Sequence, residues 1–334
     1  MVLVTGGTGL VGSHLLFRLM DKGYTVRAIY RKNSNLDQVK KLFSCYSDSA
    51  RELFQKIDWI EAELNDIPAL EEAFTGVTHV YHCAALISFD PKSYRKLQKV
   101  NTRGTTNIVN LCLSNSAEKL CYVSTIGTIG KSLNGTKSNE ETEWMETEAN
   151  VYALTKYAAE MEVWRGSQEG LSVVIVNPGI IIGPASWNRG SGALFTTANR
   201  AYSYYPPGGT GFVTVNDVVR MMMQLMESSL SSERYIAVAE NLTYHQILNR
   251  ITQALGVNPP RKKLQFWQLE IFRLFDSVWC GITGNERKMT KNSMRSLRNR
   301  QIFDNQKAMD DLNFEFEDLS ETIQFTADRF LNDS

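Results

Sequence analysis

Short apolar runs alternate with longer stretches of helical periodicity over the first half of the chain. The runs are Val2–Thr5, Tyr24–Tyr30, Ile57–Ile60, His79–Ala85, Leu120–Val123 and Ser172–Val176. They are rich in Val and Ile and read as strands, ending in small or polar residues. Between them, Ser13–Met20, a polar insert over Leu36–Lys56, Pro68–Phe74, Ser93–Asn115 and Val151–Glu162 read as helices. Strands that are apolar on both faces and separated by helices predict a parallel sheet covered on both sides. The pattern changes after Gly183-Pro184. Two loops follow, Ser186–Gly192 and Tyr204–Gly211. Then Phe212–Val215 and Tyr235–Val238 flank a Met-rich helix over Asp217–Met226, and the remainder reads as mostly helical. The expected fold is α/β, a Rossmann-type doubly wound parallel sheet with a smaller, mainly helical C-terminal substrate lobe. Residues 1–180 with about 212–238 form the first part, and 181–211 with 239–334 the lobe.

The turn after the first strand is Gly6-Gly7-Thr8-Gly9-Leu10-Val11-Gly12. Glycines at positions 6, 9 and 12 suit a tight turn, close approach of backbone to a pyrophosphate, and close packing of helix on strand. The N–H groups opening the next helix then face the anion. Glycine triplets alone also occur in ordinary strand–turn–helix units; the apolar strand before and the helix after give this one its weight. An acidic residue ending the second strand would bind the 2′-hydroxyl of NAD. Here that position reads Tyr30-Arg31-Lys32-Asn33-Ser34. No carboxylate repels a 2′-phosphate and two cations can hold one, which favours NADP(H) over NAD(H). NAD(H) stays open, because Arg31 and Lys32 also read as a solvated turn. Glu63, past the third strand, can accept from an adenine amino group. The small Ala84 and Ala85 let a cofactor lie against the backbone.

Composition narrows the class. The 334 residues carry 36 Lys and Arg against 36 Asp and Glu, so no global field favours nucleic acid. The five cysteines show no CxxC pairing and the histidines are scattered, so free thiols in a reducing, cytoplasmic setting and no metal site are expected. The first strand follows Met1 directly, so no signal peptide is expected.

Tyr152 and Lys156 stand four apart on a predicted helix and share one face. An ammonium beside a phenol favours the phenolate, giving a tyrosine that exchanges a proton with a carbonyl or alcohol oxygen. The spacing is common by chance and gains meaning from the preceding glycine loop and the hydroxyls Ser124 and Thr125 ending strand five. Ligands bind at that carboxyl edge in open α/β sheets.

In this order, Thr5-Gly6-x-x-Gly9-x-x-Gly12 through Tyr152-x-x-x-Lys156 resembles the extended short-chain dehydrogenase/reductases, the NAD-dependent epimerase/dehydratase superfamily. Lys22–Arg27 and Val176–Pro184 are similar to its dihydroflavonol reductase and cinnamoyl-CoA reductase branch. His82-x-Ala84-Ala85, Val100-Asn101-x-x-Gly104-Thr105 and Phe212-Val213-x-Val215-x-Asp217-Val218 are similar to the wider superfamily. The resemblance covers about residues 1–240, and more loosely the tail from Phe303 to Phe314. It implies Tyr152 as acid/base, Lys156 lowering its pKa and holding the nicotinamide ribose, Thr125 on the substrate oxygen, and Asn101 supporting a water relay. It implies Arg31 at the 2′-phosphate and a cofactor cradle that adds Thr8, Leu10, Val11, Leu64, Pro178, Gly179 and Ile180. Glu63 stands where an aspartate is usual. Dimers of the family pair through the helices around Asn101–Leu113 and Tyr152–Trp164, so a homodimer is expected, although apolar positions there equally suit packing on the sheet.

Nucleotide-sugar dehydratases carry an Asp-Glu pair after the strand-five threonine; Ile126-Gly127 follow Thr125 here, against a 4,6-dehydratase. The expected activity is NADP(H)-dependent reduction of a carbonyl on a small molecule, or oxidation of the alcohol. The alternatives are an NAD-dependent nucleotide-sugar epimerase and a non-catalytic dinucleotide sensor. Two further stretches stand apart. Leu264–Trp279 has helical apolar spacing after Arg261-Lys262-Lys263 and reads as core or as a lid over a hydrophobic substrate, with membrane contact the lesser reading. The basic run Arg287–Arg300 reads as a solvated face before a grip for a phosphorylated or CoA-bearing substrate.

Overall fold

The computed structural model describes residues 1–132, 136–188, 190–283 and 291–333. Its strands are β1 Val2–Thr5, β2 Val26–Tyr30, β3 Asp58–Glu61, β4 His79–His82, β5 Lys119–Val123, β6 Ser172–Pro178, β7 Ile180–Ile182, β8 Tyr204–Tyr205, β9 Gly209–Thr214, β10 Glu233–Ala237, β11 Glu240–Thr243 and β12 Lys262–Lys263. Seven of them form one parallel sheet in the order β10-β6-β5-β4-β1-β2-β3. The order reverses between β1 and β4, which opens the crevice where doubly wound sheets bind ligands.

Alternate strand residues feed opposite layers, as the pleat requires. Val2, Val4, Tyr81, Cys121, Val174 and Val176 pack with helices Leu10–Asp21 and Val215–Glu227. Leu3, Val80, Leu120, Tyr122, Val173 and Ile175 pack on the other side with helices Ile67–Phe74, Gly104–Ser114 and Val151–Gln168. The lobe has its own core around Phe195, Phe212, Leu242, Ile247, Ile251 and Ile323.

Local chemistry moved some boundaries. The polar insert is two helices, Leu36–Ser44 and Ala50–Gln55, because the turn formers Ser47, Asp48 and Ser49 interrupt it. The helical run expected over 93–115 is Tyr94–Leu97, a π turn over Gln98–Arg103, and Gly104–Ser114. Strand β9 does not join the main sheet. It pairs with β7 and β11, with Phe212 in the lobe core and Val213 in the main core, so it stitches the two together. The tail returns to the main layer through Ala308, Leu312 and Phe314. There the buried Asp217 carboxylate accepts the Glu317 N–H at 3.2 and 3.1 Å and the Arg220 guanidinium at 2.6 Å.

The stretch read as core or lid is helix Phe266–Thr283, and its apolar side is not core. Leu269 and Cys280 point inward, while Phe266, Trp267, Ile271, Phe272, Leu274 and Phe275 are exposed. Its apolar residues spread wider than a packing stripe, and the lobe covers only one edge of them. The Val278 side chain and residues 287–290 of the basic run lie outside the described residues.

Candidate active site

The glycine loop leaves β1 with Gly6 at φ +70°, a conformation a side chain disfavours, and closes on a 2.9 Å hydrogen bond from the Gly9 N–H to the Gly6 carbonyl. A Cβ on Gly12 would fall 2.2 Å from the Gly6 carbonyl oxygen, so only glycine lets the helix seat on the loop. Gly9 is the N-cap of helix Leu10–Asp21 and supplies no side-chain cap, and the first turn holds no acidic residue. The first intrahelical bond runs from the Ser13 N–H to the Gly9 carbonyl at 2.9 Å. The N–H groups of Leu10, Val11 and Gly12 therefore face the crevice with no helical acceptor. That donor set, at the positive end of a helix and beside the half-buried Thr8, fits a pyrophosphate.

Across the switch point, Ala84 lies against Gly6: its N–H donates to the Thr5 hydroxyl at 3.2 Å, and Ala85 is exposed. Arg31 and Lys32 follow β2 at the same sheet edge, and their side chains are exposed with no partner among the described residues. Glu63 is exposed beside a shallow recess that it lines with Asn65, Asp66, Ile67, Pro68 and Lys99. Leu64 is different: its side chain is core and its carbonyl accepts from Asn107 at 2.8 Å. On the far side of the crevice, Gly179 donates its N–H to the Ala237 carbonyl at 3.0 Å, holding the Pro178–Ile180 bend against β10.

The four expected catalytic residues converge on the first two turns of helix Val151–Gln168. Asn150 caps it, accepting the Ala153 N–H at 2.9 Å. The turn Ile126–Thr128 packs on this helix, with Gly127 next to Ala153; the Thr125 hydroxyl accepts the Gly127 N–H at 3.2 Å and Thr125 is half-buried. Asn101 sits in the π turn, and such turns recur at functional sites. Its side chain clasps the backbone of Leu86, accepting the N–H at 2.7 Å and donating to the carbonyl at 3.0 Å, and reaches the Thr155 hydroxyl at 3.1 Å. Tyr152 meets the exposed Phe89 edge to face, and burial pushes its phenol pKa up.

Lys156 departs from expectation. Its Nζ donates to the Tyr122 hydroxyl at 2.6 Å and to the Val123 carbonyl at 2.8 Å, and no hydrogen bond joins it to Tyr152. Desolvation lowers its pKa to about 7, with the Glu160 carboxylate opposing. The reason is geometric: the helical face shared with Tyr152 looks onto β5, whose phenol and carbonyl are the nearest acceptors.

Tyr122 was invisible as a site residue, because a strand tyrosine in an apolar run reads as core. Beneath it, His82 stacks on its ring, and burial, then the Lys156 charge, lower the imidazole pKa to about 3. Thr105 donates its one proton to the Asn101 carbonyl at 2.6 Å, so His82 Nε2 donates to Thr105 at 2.9 Å and Thr5 donates to Nδ1 at 2.6 Å. A second missed group is Glu160, one turn beyond Lys156 and fully buried. Its carboxylate accepts from Ser124 at 2.5 Å, Thr128 at 2.7 Å, Asn177 at 3.1 Å and Arg234 at 3.1 Å. This cluster fixes the end of β5 from below and occupies Ser124, leaving Thr125 as the hydroxyl on the open side. Trp144 also reaches the site: it stacks on Tyr157 at 3.8 Å and donates to the Gly127 carbonyl at 3.2 Å.

No group of His, Cys, Asp and Glu that could hold a metal occurs among the described residues, and none of their helices is long and apolar enough to cross a membrane. Comparison with known proteins gives the family. A Synechocystis protein provisionally named a dihydroflavonol 4-reductase is 28% identical over 92% of this chain and 88% of its own. Sterol demethylase protein B of Methylococcus capsulatus is 27% identical over 78% of this chain and 76% of its own. The crystal structure of gox2253 superposes with a TM-score of 0.83 at 26% identity, covering 100% of this chain and 98% of that one. Residues 2–238 match the model of the NAD dependent epimerase/dehydratase family. With the glycine cradle, the strand order and these relatives in hand, the chain belongs to that family, and it is an NAD(P)-dependent enzyme of the extended short-chain dehydrogenase/reductase type.

Proposed function

We propose that the protein reduces a carbonyl on an apolar small molecule with NADPH. The observation that carries the reading is the placement of Tyr152 in the first turn of helix Val151–Gln168, packed beside the Ile126–Thr128 turn that Thr125 caps, with burial raising the phenol pKa further. A retained phenolic proton is what a reductase must hand to a carbonyl oxygen. Leu10, Val11 and Gly12 would hold the pyrophosphate by their N–H groups, and Arg31 and Lys32 the 2′-phosphate. Bound there, NADPH supplies a hydride to the carbonyl carbon.

The chain's residues do the rest. Thr125 donates to the substrate oxygen and orients it toward Tyr152. Tyr152 gives its proton to that oxygen as negative charge develops and regains one from solvent. Lys156, held by Tyr122 and Val123, stands ready to place a positive charge beside the tyrosinate. Asn101 positions these groups by locking Leu86 to Thr155. The lobe whose core holds Phe195, Leu242 and Ile247 would close the substrate side. The names of the relatives, which refer to dihydroflavonols and sterols, support an apolar ring ketone over a sugar.

The test is NADPH consumption against aromatic, aliphatic and steroidal ketones. Tyr152→Phe should lose about 10²–10⁴ in kcat. Turnover of a nucleotide sugar with bound NAD and no net cofactor change would replace this reading with an epimerase.

A further inference from the structure

Helix Phe266–Thr283 presents its apolar side to solvent. Phe275 is 70% exposed and Trp267 61% exposed, with Ile271 and Leu274 between them on one arc of the helix and Phe272 and Phe266 at its margins. The single buried side chain of the first turns, Leu269, faces the opposite way. Exposed Tyr202 and Tyr204 extend the patch, since β8 pairs Tyr204 with Lys262 of β12. Apolar patches of this kind on a folded surface mark interaction sites.

Charge identifies the occupant. Residues 261–300 hold ten Lys and Arg against three Asp and Glu in a chain whose formal net charge is zero. Arg261, Lys262 and Lys263 are exposed just before the helix, and Arg295, Arg298 and Arg300 are exposed alongside it, with the Arg298 guanidinium 5.0 Å from the Phe266 ring. Arg273, by contrast, is already paired with Glu270 at 2.8 Å. A second copy docking isologously on this face would bring the same cations together. An anionic surface that also accepts aromatic side chains is a lipid headgroup region, where Trp, Tyr and Phe settle between water and acyl chains and Lys and Arg meet phosphates.

We propose that this helix lies in the plane of an anionic bilayer surface and seats the enzyme there, with the substrate lobe against the lipid. The inference is independent of the reductase reading, because its test needs no turnover.

The test is flotation of the purified full-length protein with vesicles of phosphatidylcholine alone or mixed with phosphatidylglycerol. The protein floats with the anionic vesicles, and binding weakens as salt rises. Trp267→Ser with Phe275→Ser lowers the partition coefficient roughly tenfold or more, and Lys262→Glu with Lys263→Glu lowers it on anionic vesicles. Both pairs are exposed, so melting temperatures stay at the parent value and certify folding. Absence of binding to anionic vesicles overturns the proposal, as does binding that survives both pairs of substitutions. A parent dimer that Trp267→Ser with Phe275→Ser converts to monomer, by light scattering without lipid, overturns it in favour of a second copy on this face.

Discussion

Replacing Glu160 with Gln removes one charge and almost no volume from the interior, and the consequence can be worked from its four partners. The carboxylate is fully buried and accepts from Ser124, Thr128, Asn177 and Arg234. An amide offers one acceptor oxygen and turns two N–H donors toward groups that are themselves donors. Breaking a buried ion pair costs about 3–5 kcal/mol, because the partner is left uncompensated. The Arg234 side chain keeps 20% of its surface in water, so the lower half of that range applies. At roughly 2 °C per kcal/mol for a chain of this size, the melting temperature should fall by about 6–8 °C. Urea unfolding followed by circular dichroism gives the free energy directly. Adding Arg234→Met should recover part of the loss, since the stranded cation goes too. Ser124 and Thr128 flank Thr125, so kcat should fall along with stability. A loss under about 1 kcal/mol, with no coupling between the two positions, would refute the reasoning.

Arg31→Ala should reduce the preference for NADPH over NADH about ten- to a hundredfold, the worth of one charge-assisted phosphate contact, read as the ratio of kcat/KM values; an unchanged ratio removes Arg31 from the 2′-phosphate. Gly12→Ala puts a Cβ 2.2 Å from the Gly6 carbonyl oxygen, so NADPH affinity by fluorescence titration should weaken about tenfold or more, whereas an unchanged Kd would mean the loop yields freely. Burial lowers the Lys156 pKa from 10.5 to about 7, so between these values the unfolded chain binds more protons than the folded one. Stability from this group is therefore least below about pH 7 and rises toward pH 10.5, by up to roughly 5 kcal/mol in all. Unfolding curves of Lys156→Met across this range should lack that rise, and identical pH profiles for parent and variant would contradict it.

Periodicity and punctuation made the sheet legible: each of the six apolar runs up to Val176 is a strand of the parallel sheet, and Gly6 and Gly12 stand where the backbone has no room for a side chain. Spacing also put Tyr152 and Lys156 on one helical face. It could not tell which acceptor Lys156 would find, because Tyr122 comes from β5 and the pairing is tertiary. Glu160 and Arg234 are 74 residues apart and meet only because β10 lies beside β6. Asn101 was legible as a position, while its clasp on Leu86 depends on the widened turn over Gln98–Arg103. In helix Phe266–Thr283 the apolar spacing gave a face and said nothing of what covers it. Core, lid and membrane contact all fitted that spacing, and only the tertiary structure leaves Trp267, Ile271, Leu274 and Phe275 exposed.

The central claim is a net hydride transfer to a carbonyl with Tyr152 supplying the proton. NADPH carrying deuterium at the transferring C4 position, incubated with the enzyme and the best ketone of the panel, tests it most directly by mass spectrometry of the product. The account predicts an alcohol bearing that deuterium on its carbinol carbon, formed one for one with NADP and suppressed in Tyr152→Phe. Deuterium that stays on the nicotinamide, or an alcohol formed equally well by Tyr152→Phe, would contradict it.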